Sequence, residues 1–210
     1  MRAPLGSFDN ALPAADRLNL LPAPVAEAVK EGGPGTAELI HVDTDPAIAD
    51  TTAFVAHHGE DLMEASANCV IVLGKRGADT TPAACLVLSR HRVDVNGAVR
   101  KHLGSRKASF APREFATGET GMEYGGITPV GLPAGWPLLV DPAVADAPGS
   151  WSAAAPPGQA DPARQGGGRP PARRDRPGTG PGPLRPPLPV VRERPASVML
   201  TGGTKDVRQE

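Results

Sequence analysis

The stretch from Gly121 to Pro133 reads Gly-Met-Glu-Tyr-Gly-Gly-Ile-Thr-Pro-Val-Gly-Leu-Pro, with four glycines and two prolines. Adjacent glycines at 125 and 126 expose backbone N–H groups and let another molecule approach the main chain closely. Pro129 and Pro133 fix φ on either side, and Thr128 adds a hydroxyl. A rigid loop of this kind, leading into the apolar run Pro137-Leu138-Leu139-Val140, can hold a carbonyl or stabilise an oxyanion. The same composition also makes a plain tight connection. Its meaning depends on the residues it is set among.

Those residues are few. Asn68 opens the apolar run Cys-Val-Ile-Val-Leu, and Asp141 follows the run that ends at Val140, where it can cap a helix starting at Pro142 or order the glycine loop. His57 and His58 end a helical segment, where imidazole suits the helix dipole. His91 and His102 lie among Arg90, Arg92, Arg100 and Lys101, a group able to meet phosphates or to form a solvated helix face. Cys69 and Cys85 sit in apolar runs, read as buried reduced thiols, and have no metal-ligand spacing. No Ser-His-Asp or Cys-His pattern stands out along the chain. Neither a metal nor a cofactor is expected.

The elements that position these groups follow from periodicity. Ala14 to Glu31 carries Leu18, Leu21, Val25 and Val29 at helical spacing, and Pro22 and Pro24 interrupt it, which fits two short pieces as well as one helix. Residues 37–43 alternate as a strand. Asp45-Pro46 opens a helix that runs to His57 and stops at Gly59. Residues 69–74 and 83–89 predict an antiparallel pair around the turn 75–79. Asp94 or Asn96 starts a helix through Val99 and Leu103, closed by Gly104. A short strand near 106–111, a short helix from Pro112, the glycine loop and a strand at 137–140 complete an α+β domain over 14–147, with a compact, barrel-like mixed sheet and surrounding helices. Its expected core includes Leu39, Val70, Val72, Leu86, Val87, Leu88, Leu103, Leu138 and Val140.

The net charge of -1 averages two unlike segments. Residues 1–150 carry 12 Lys and Arg against 18 Asp and Glu, net -6; residues 151–210 carry 10 against 5, net +5. No run of 18 apolar residues exists, which argues against a membrane span, and no secretory signal opens the chain, so a cytoplasmic location is expected. Residues 1–13 have no clear period and are read as loosely held. Residues 151–210 hold 12 Pro and 9 Gly and no Ile, Phe, Tyr, Asn or His, too little apolar surface to offset chain entropy. The segment 148–210 is therefore predicted to be a disordered tail. Its bias toward residues with GC-rich codons is that of an out-of-frame translation.

The order of these pieces resembles the YbaK/prolyl-tRNA synthetase-associated editing domain family. The carrying residues are Asp50-Thr51-Thr52-Ala53, Ala67-Asn68 with Cys69 to Val72, Ala84 to Leu88, Arg92-Val93-Asp94, Lys107 to Ala111, and Gly125-Gly126-Ile127-Thr128-Pro129-Val130-Gly131 before Leu139-Val140-Asp141. The resemblance covers roughly half the chain. It implies a trans-acting deacylase that hydrolyses the ester of a mischarged tRNA, with tRNA as partner and the ribose hydroxyl as a help in activating water. It places Asn68, Gly125, Gly126 and Thr128 in the catalytic part, and Thr51, Thr52, Ile127, Pro129 and Asp141 around the substrate, with Asn68 and the 125–129 loop at one pocket. Asn68 stands where the family carries a lysine, and an amide donates a hydrogen bond but supplies no positive charge. The alternative is a module that keeps the fold and holds an aminoacyl end or small ligand without hydrolysis.

Overall fold

The computed structural model describes residues 8, 10–33, 36–37, 39–43, 51–59, 62–146, 150–153 and 198–202. The sheet that matters most is built on a long hairpin. Strands β3 (Ala67–Arg76) and β4 (Asp79–Leu88) pair antiparallel along their whole length, from Ala67 opposite Leu88 to Arg76 opposite Asp79. Gly77 turns the hairpin at φ 65°, a conformation that favours glycine. Strand β5 (Lys107–Phe110) adds antiparallel to β3, and β6 (Leu138–Val140) adds parallel to β4, giving the order β5-β3-β4-β6.

Both faces of this sheet are covered, which is why Cys69 to Leu73 reads as a continuous apolar run. Ala67, Cys69, Ile71, Leu86 and Leu88 face one cluster. It is closed by Val25 and Val29 of helix α1 (Ala23–Lys30) and by Met122 and Ile127 of the glycine loop. Val72, Cys85 and Leu139 face the other side and pack on Val95 and Val99. Those two valines belong to a π-helical turn, Val95–Val99, that continues into α4 (Arg100–His102). Asp94 starts it as expected, accepting from the Gly97 and Ala98 amides at 2.8 and 3.0 Å, a cap worth about 1 kcal/mol. Of the expected core, Leu39, Val72, Leu86, Val87, Leu88 and Val140 are buried; Val70, Leu103 and Leu138 are partly exposed.

A second sheet has the order β1 (Ala11–Pro13), β2 (Ile40–Asp43), β8 (Val198–Gly202), β7 (Ser150–Ala153). Strand β1 (Ala11–Pro13) pairs antiparallel with β2 (Ile40–Asp43), and Phe8 is buried, so the expectation of a loosely held N-terminus fails here. The reason is local: Phe8 stacks on Phe54 of helix α2 (Thr51–His58), and Ala11 joins the cluster of Ile40, Val42, Phe54 and Val55. The tail is corrected in the same way at two places. Strands β7 (Ser150–Ala153) and β8 (Val198–Gly202) lie inside the segment predicted as disordered, yet β8 pairs in parallel with both β2 and β7. Val-Met-Leu and Ser-Trp-Ser-Ala are the apolar pieces that compositional averaging over 60 Pro- and Gly-rich residues hides. The rest of the tail lies outside the described residues.

Helix α1 is preceded by a 3-10 helix, Ala14–Leu20, so of the two arrangements the prolines left open the segment takes two short pieces. Short helices α3 (Leu62–Ala65), α5 (Arg113–Thr120) and α6 (Pro142–Ala145) complete the set, and Gly121 ends α5 at φ 63°.

An inner strand of the second sheet carries a titratable group. His41 in β2 is 2% exposed, and its Nδ1 has no hydrogen-bond partner among the described residues. Burial holds its pKa below the ordinary histidine value, with Arg17 acting the same way and Asp43 opposing. The unfolded chain then binds more protons than the folded one once pH drops below about 6.5. Stability is therefore complete above that pH and declines as pH falls toward the lowered folded value. Urea midpoints are expected to drop between pH 7.5 and 5.5, and His41→Leu should remove most of the drop. A small remainder belongs to His58, also lowered by burial and by its neighbour His57. An unchanged pH dependence in that variant would show that His41 is not the group responsible.

Candidate functional site

Strand register decides which polar groups share a face. Along β3 the side chains alternate, and Asn68 falls with Val70 and Val72, not with Ala67, Cys69 and Ile71. Asn68 is opposite Val87, and Leu86 is opposite Val140, so Asn68, Val87 and Asp141 form one row across β3, β4 and β6. The Asp141 amide continues the ladder by donating to the Leu86 carbonyl at 2.9 Å. Two strand spacings put the Asn68 and Asp141 backbones about 10 Å apart. Asn68 is exposed at that position.

Two register positions further along, past Ala67 and Leu88, Ser66 and Ser89 meet. Their hydroxyl oxygens are 2.7 Å apart, and the Ser89 amide donates to the Ser66 carbonyl at 2.8 Å. His91 follows two residues later and reaches back to Asp141, with Nδ1 and Oδ2 at 2.7 Å. The other carboxylate oxygen accepts from the Ala143 amide at 2.9 Å at the start of α6. Asp141 is thus held at both oxygens, and it fixes the imidazole through Nδ1. The His91 ring is 24% exposed and the Asp141 side chain 11%. Among the described residues Nε2 has no partner, so it is the ring nitrogen available to a ligand or water. Arg90, between Ser89 and His91, pairs with Glu64 of α3.

The glycine loop covers the opposite face. Ile127 belongs to the cluster of Ala67, Cys69 and Ile71, so register sets it apart from Asn68, contrary to the expectation of one shared pocket. Thr128 is fully buried; its hydroxyl donates to the Val130 carbonyl at 2.9 Å and its amide faces the Met122 sulfur at 3.3 Å. The Gly126 amide donates to the Glu123 carbonyl at 2.9 Å. These groups hold the loop's own shape. Gly125 is exposed at φ 87°, and Pro129 is half-buried. Beside them Tyr124 is 52% exposed, with the Arg113 guanidinium 5.1 Å over its ring. Thr51 and Thr52 open α2, and their side chains lie outside the described residues.

The cysteines are free and buried, and burial raises both thiols, Cys85 to about 12. Neither is a thiolate near neutral pH. Among the described residues no group of three or more His, Cys, Asp or Glu is placed to hold a metal ion. Nor is any described helix long and apolar enough to cross a membrane. The His91–Asp141 pair went unseen in the sequence because its members are 50 residues apart. The signal that could have found it is positional: Asp141 directly follows an apolar strand, and His91 comes three residues after the end of another.

Residues 45–160 match the family described as aminoacyl-tRNA editing domain, and the chain belongs to that family. The match takes in β7 as well as the sheet of β3 to β6. Among solved structures, the chain is similar to a crystal structure described as that of a proposed trans-editing enzyme for prolyl tRNA synthetase. The identity is 21% and the TM-score 0.44, over 53% of this chain and 66% of that one. No curated protein matches the chain.

Proposed function

We propose that the protein is a trans-acting aminoacyl-tRNA deacylase of the cytoplasm, hydrolysing the ester of a mischarged tRNA at the end of the sheet marked by Asn68, His91 and Asp141. The observation that carries the reading is the His91–Asp141 hydrogen bond on an editing-domain sheet. If Nδ1–H donates to Asp141, Nε2 carries the lone pair and is the proton acceptor. A water beside it loses its proton to Nε2 as its oxygen bonds to the ester carbonyl carbon. The bond from that carbon to the ribose oxygen then breaks, and the proton passes to the departing oxygen. The Asn68 amide is the donor on the same face for the carbonyl oxygen as it gains charge. On the opposite face, Tyr124 under Arg113 offers a stacking surface for a base.

Asn68 also favours a second reading, in which the domain holds an aminoacyl end without hydrolysing it. A neutral amide stabilises a developing oxyanion less than an ammonium by about 1–1.5 kcal/mol. Asn68→Lys is therefore expected to raise the deacylation rate about tenfold. An unchanged rate in a folded variant removes Asn68 from the chemistry. The deciding assay is release of free amino acid from a panel of mischarged tRNAs.

A further inference from the structure

Residues 75–113 hold nine of the 12 Lys and Arg of residues 1–150, and only two of the 18 acids, Asp79 and Asp94. The fold gathers six of these cations at the end of the sheet opposite to Asn68. Lys75 and Arg76 end β3, Arg106 and Lys107 begin β5, and Arg100 and Lys101 lie in α4. The Arg106 amide donates to the Lys75 carbonyl at 2.9 Å, and the Ser105 amide donates to the Arg100 carbonyl at 3.0 Å, which ties the three elements together. All but the partly buried Arg100 are exposed.

Two features set this surface apart from an ordinary solvated face. Lys75 and Lys107 are direct cross-strand partners, and like charges placed opposite each other across a sheet are destabilising. Among the described residues neither lysine forms an ion pair. Asp94 is committed to the Gly97 and Ala98 amides, leaving Asp79 as the acid at the hairpin end. The second feature is that these cations are concentrated on a segment whose net charge is -6. Cations gathered on a segment of net negative charge make a local region that attracts polyanions.

We propose that this end of the sheet, where alternation puts Arg76 on the Asn68 face and Lys75 and Lys107 on the other, with Lys101 and Arg106 beside them, binds the phosphate backbone of a base-paired RNA stem. The inference rests on the proposed action on tRNA and deepens it by assigning where the body of the RNA lies. The seven residue steps along β3 from Asn68 to Lys75 span about 23 Å, too far for the aminoacyl end alone to touch both. An RNA whose 3′ end reaches His91 and Asn68 is held about two nanometres away by a second, sequence-independent contact.

The test is binding of an uncharged tRNA to the full chain across a salt series. If four phosphates are neutralised, affinity falls on the order of 100-fold between 50 and 200 mM salt. The combined variant Lys75→Gln, Lys101→Gln, Arg106→Gln and Lys107→Gln is expected to bind more weakly at low salt and to lose most of that dependence. Lys107→Glu alone should weaken binding while raising the urea midpoint, because it replaces a like-charge pair by an opposite one. An unchanged salt slope in the combined variant overturns the proposal. So does binding of the wild type to phosphatidylserine vesicles that the variant loses while it keeps its affinity for tRNA. Because uncharged tRNA reports no hydrolysis, a failure of the deacylase reading leaves this result intact, and the reverse also holds.

Discussion

His91→Gln is expected to slow single-turnover deacylation by about 10²- to 10³-fold, a loss of about 3–4 kcal/mol of transition-state stabilisation. Glutamine keeps polarity and approximate size but cannot take a proton from water. Affinity for uncharged tRNA should stay within about twofold, because an interaction made only in the transition state affects rate and not ground-state binding. Asp141→Asn should give a smaller loss. The amide oxygen can still accept from the Ala143 amide and keep the start of α6, but it no longer stabilises the imidazolium that forms. An equal loss of tRNA binding in both variants would mean that the pair is structural. An unchanged rate would leave water activation to the ribose hydroxyl.

Gly131→Ala is expected to destabilise the fold by about 3 kcal/mol or more. Gly131 sits at φ 77°, which costs an L-residue about 1–2 kcal/mol. A Cβ there would also stand 2.6 Å from both the carbonyl carbon and oxygen of Pro24, and 2.8 Å from the Val25 nitrogen. These are main-chain atoms of α1, so relief requires the loop to lift off the helix. That would open the cluster around Val25, which is completely buried. Gly135 provides the control: it has φ 81° and open space where a Cβ would go, so Gly135→Ala carries the backbone cost alone. Urea midpoints of the two variants separate the contact from the dihedral. Equal losses would show that the approach to α1 contributes nothing.

The sequence made the hairpin legible because its information is local. Cys69 to Leu73 and Ala83 to Leu88 are apolar runs flanking a Gly-containing turn, and both strands formed where expected. The two Asp caps were legible for the same reason: Asp94 and Asp141 act on amides within four residues of themselves. Buried, reduced cysteines followed from the runs that contain them. The second sheet was hidden because its strands come from four distant pieces, and β8 lies more than 150 residues from its partner β2. No short window contains that pairing. The site was legible in part. Asn68 and Asp141 were singled out separately, but their row runs through Val87, a relation that appears only once three strands are in register. The loop misled for a physical reason. Adjacent glycines signal close backbone approach, and the approach at Gly131 is to α1 of the same chain.

Hydrolysis is read out by following free amino acid released from a panel of mischarged tRNAs by the full chain. Release from at least one member is expected to be first order in protein, abolished to within about one per cent by His91→Gln, and absent with the correctly charged tRNA. Tight binding of the whole panel, with release no faster than the spontaneous rate for every member, would contradict the account and establish the domain as a holder of aminoacyl-tRNA.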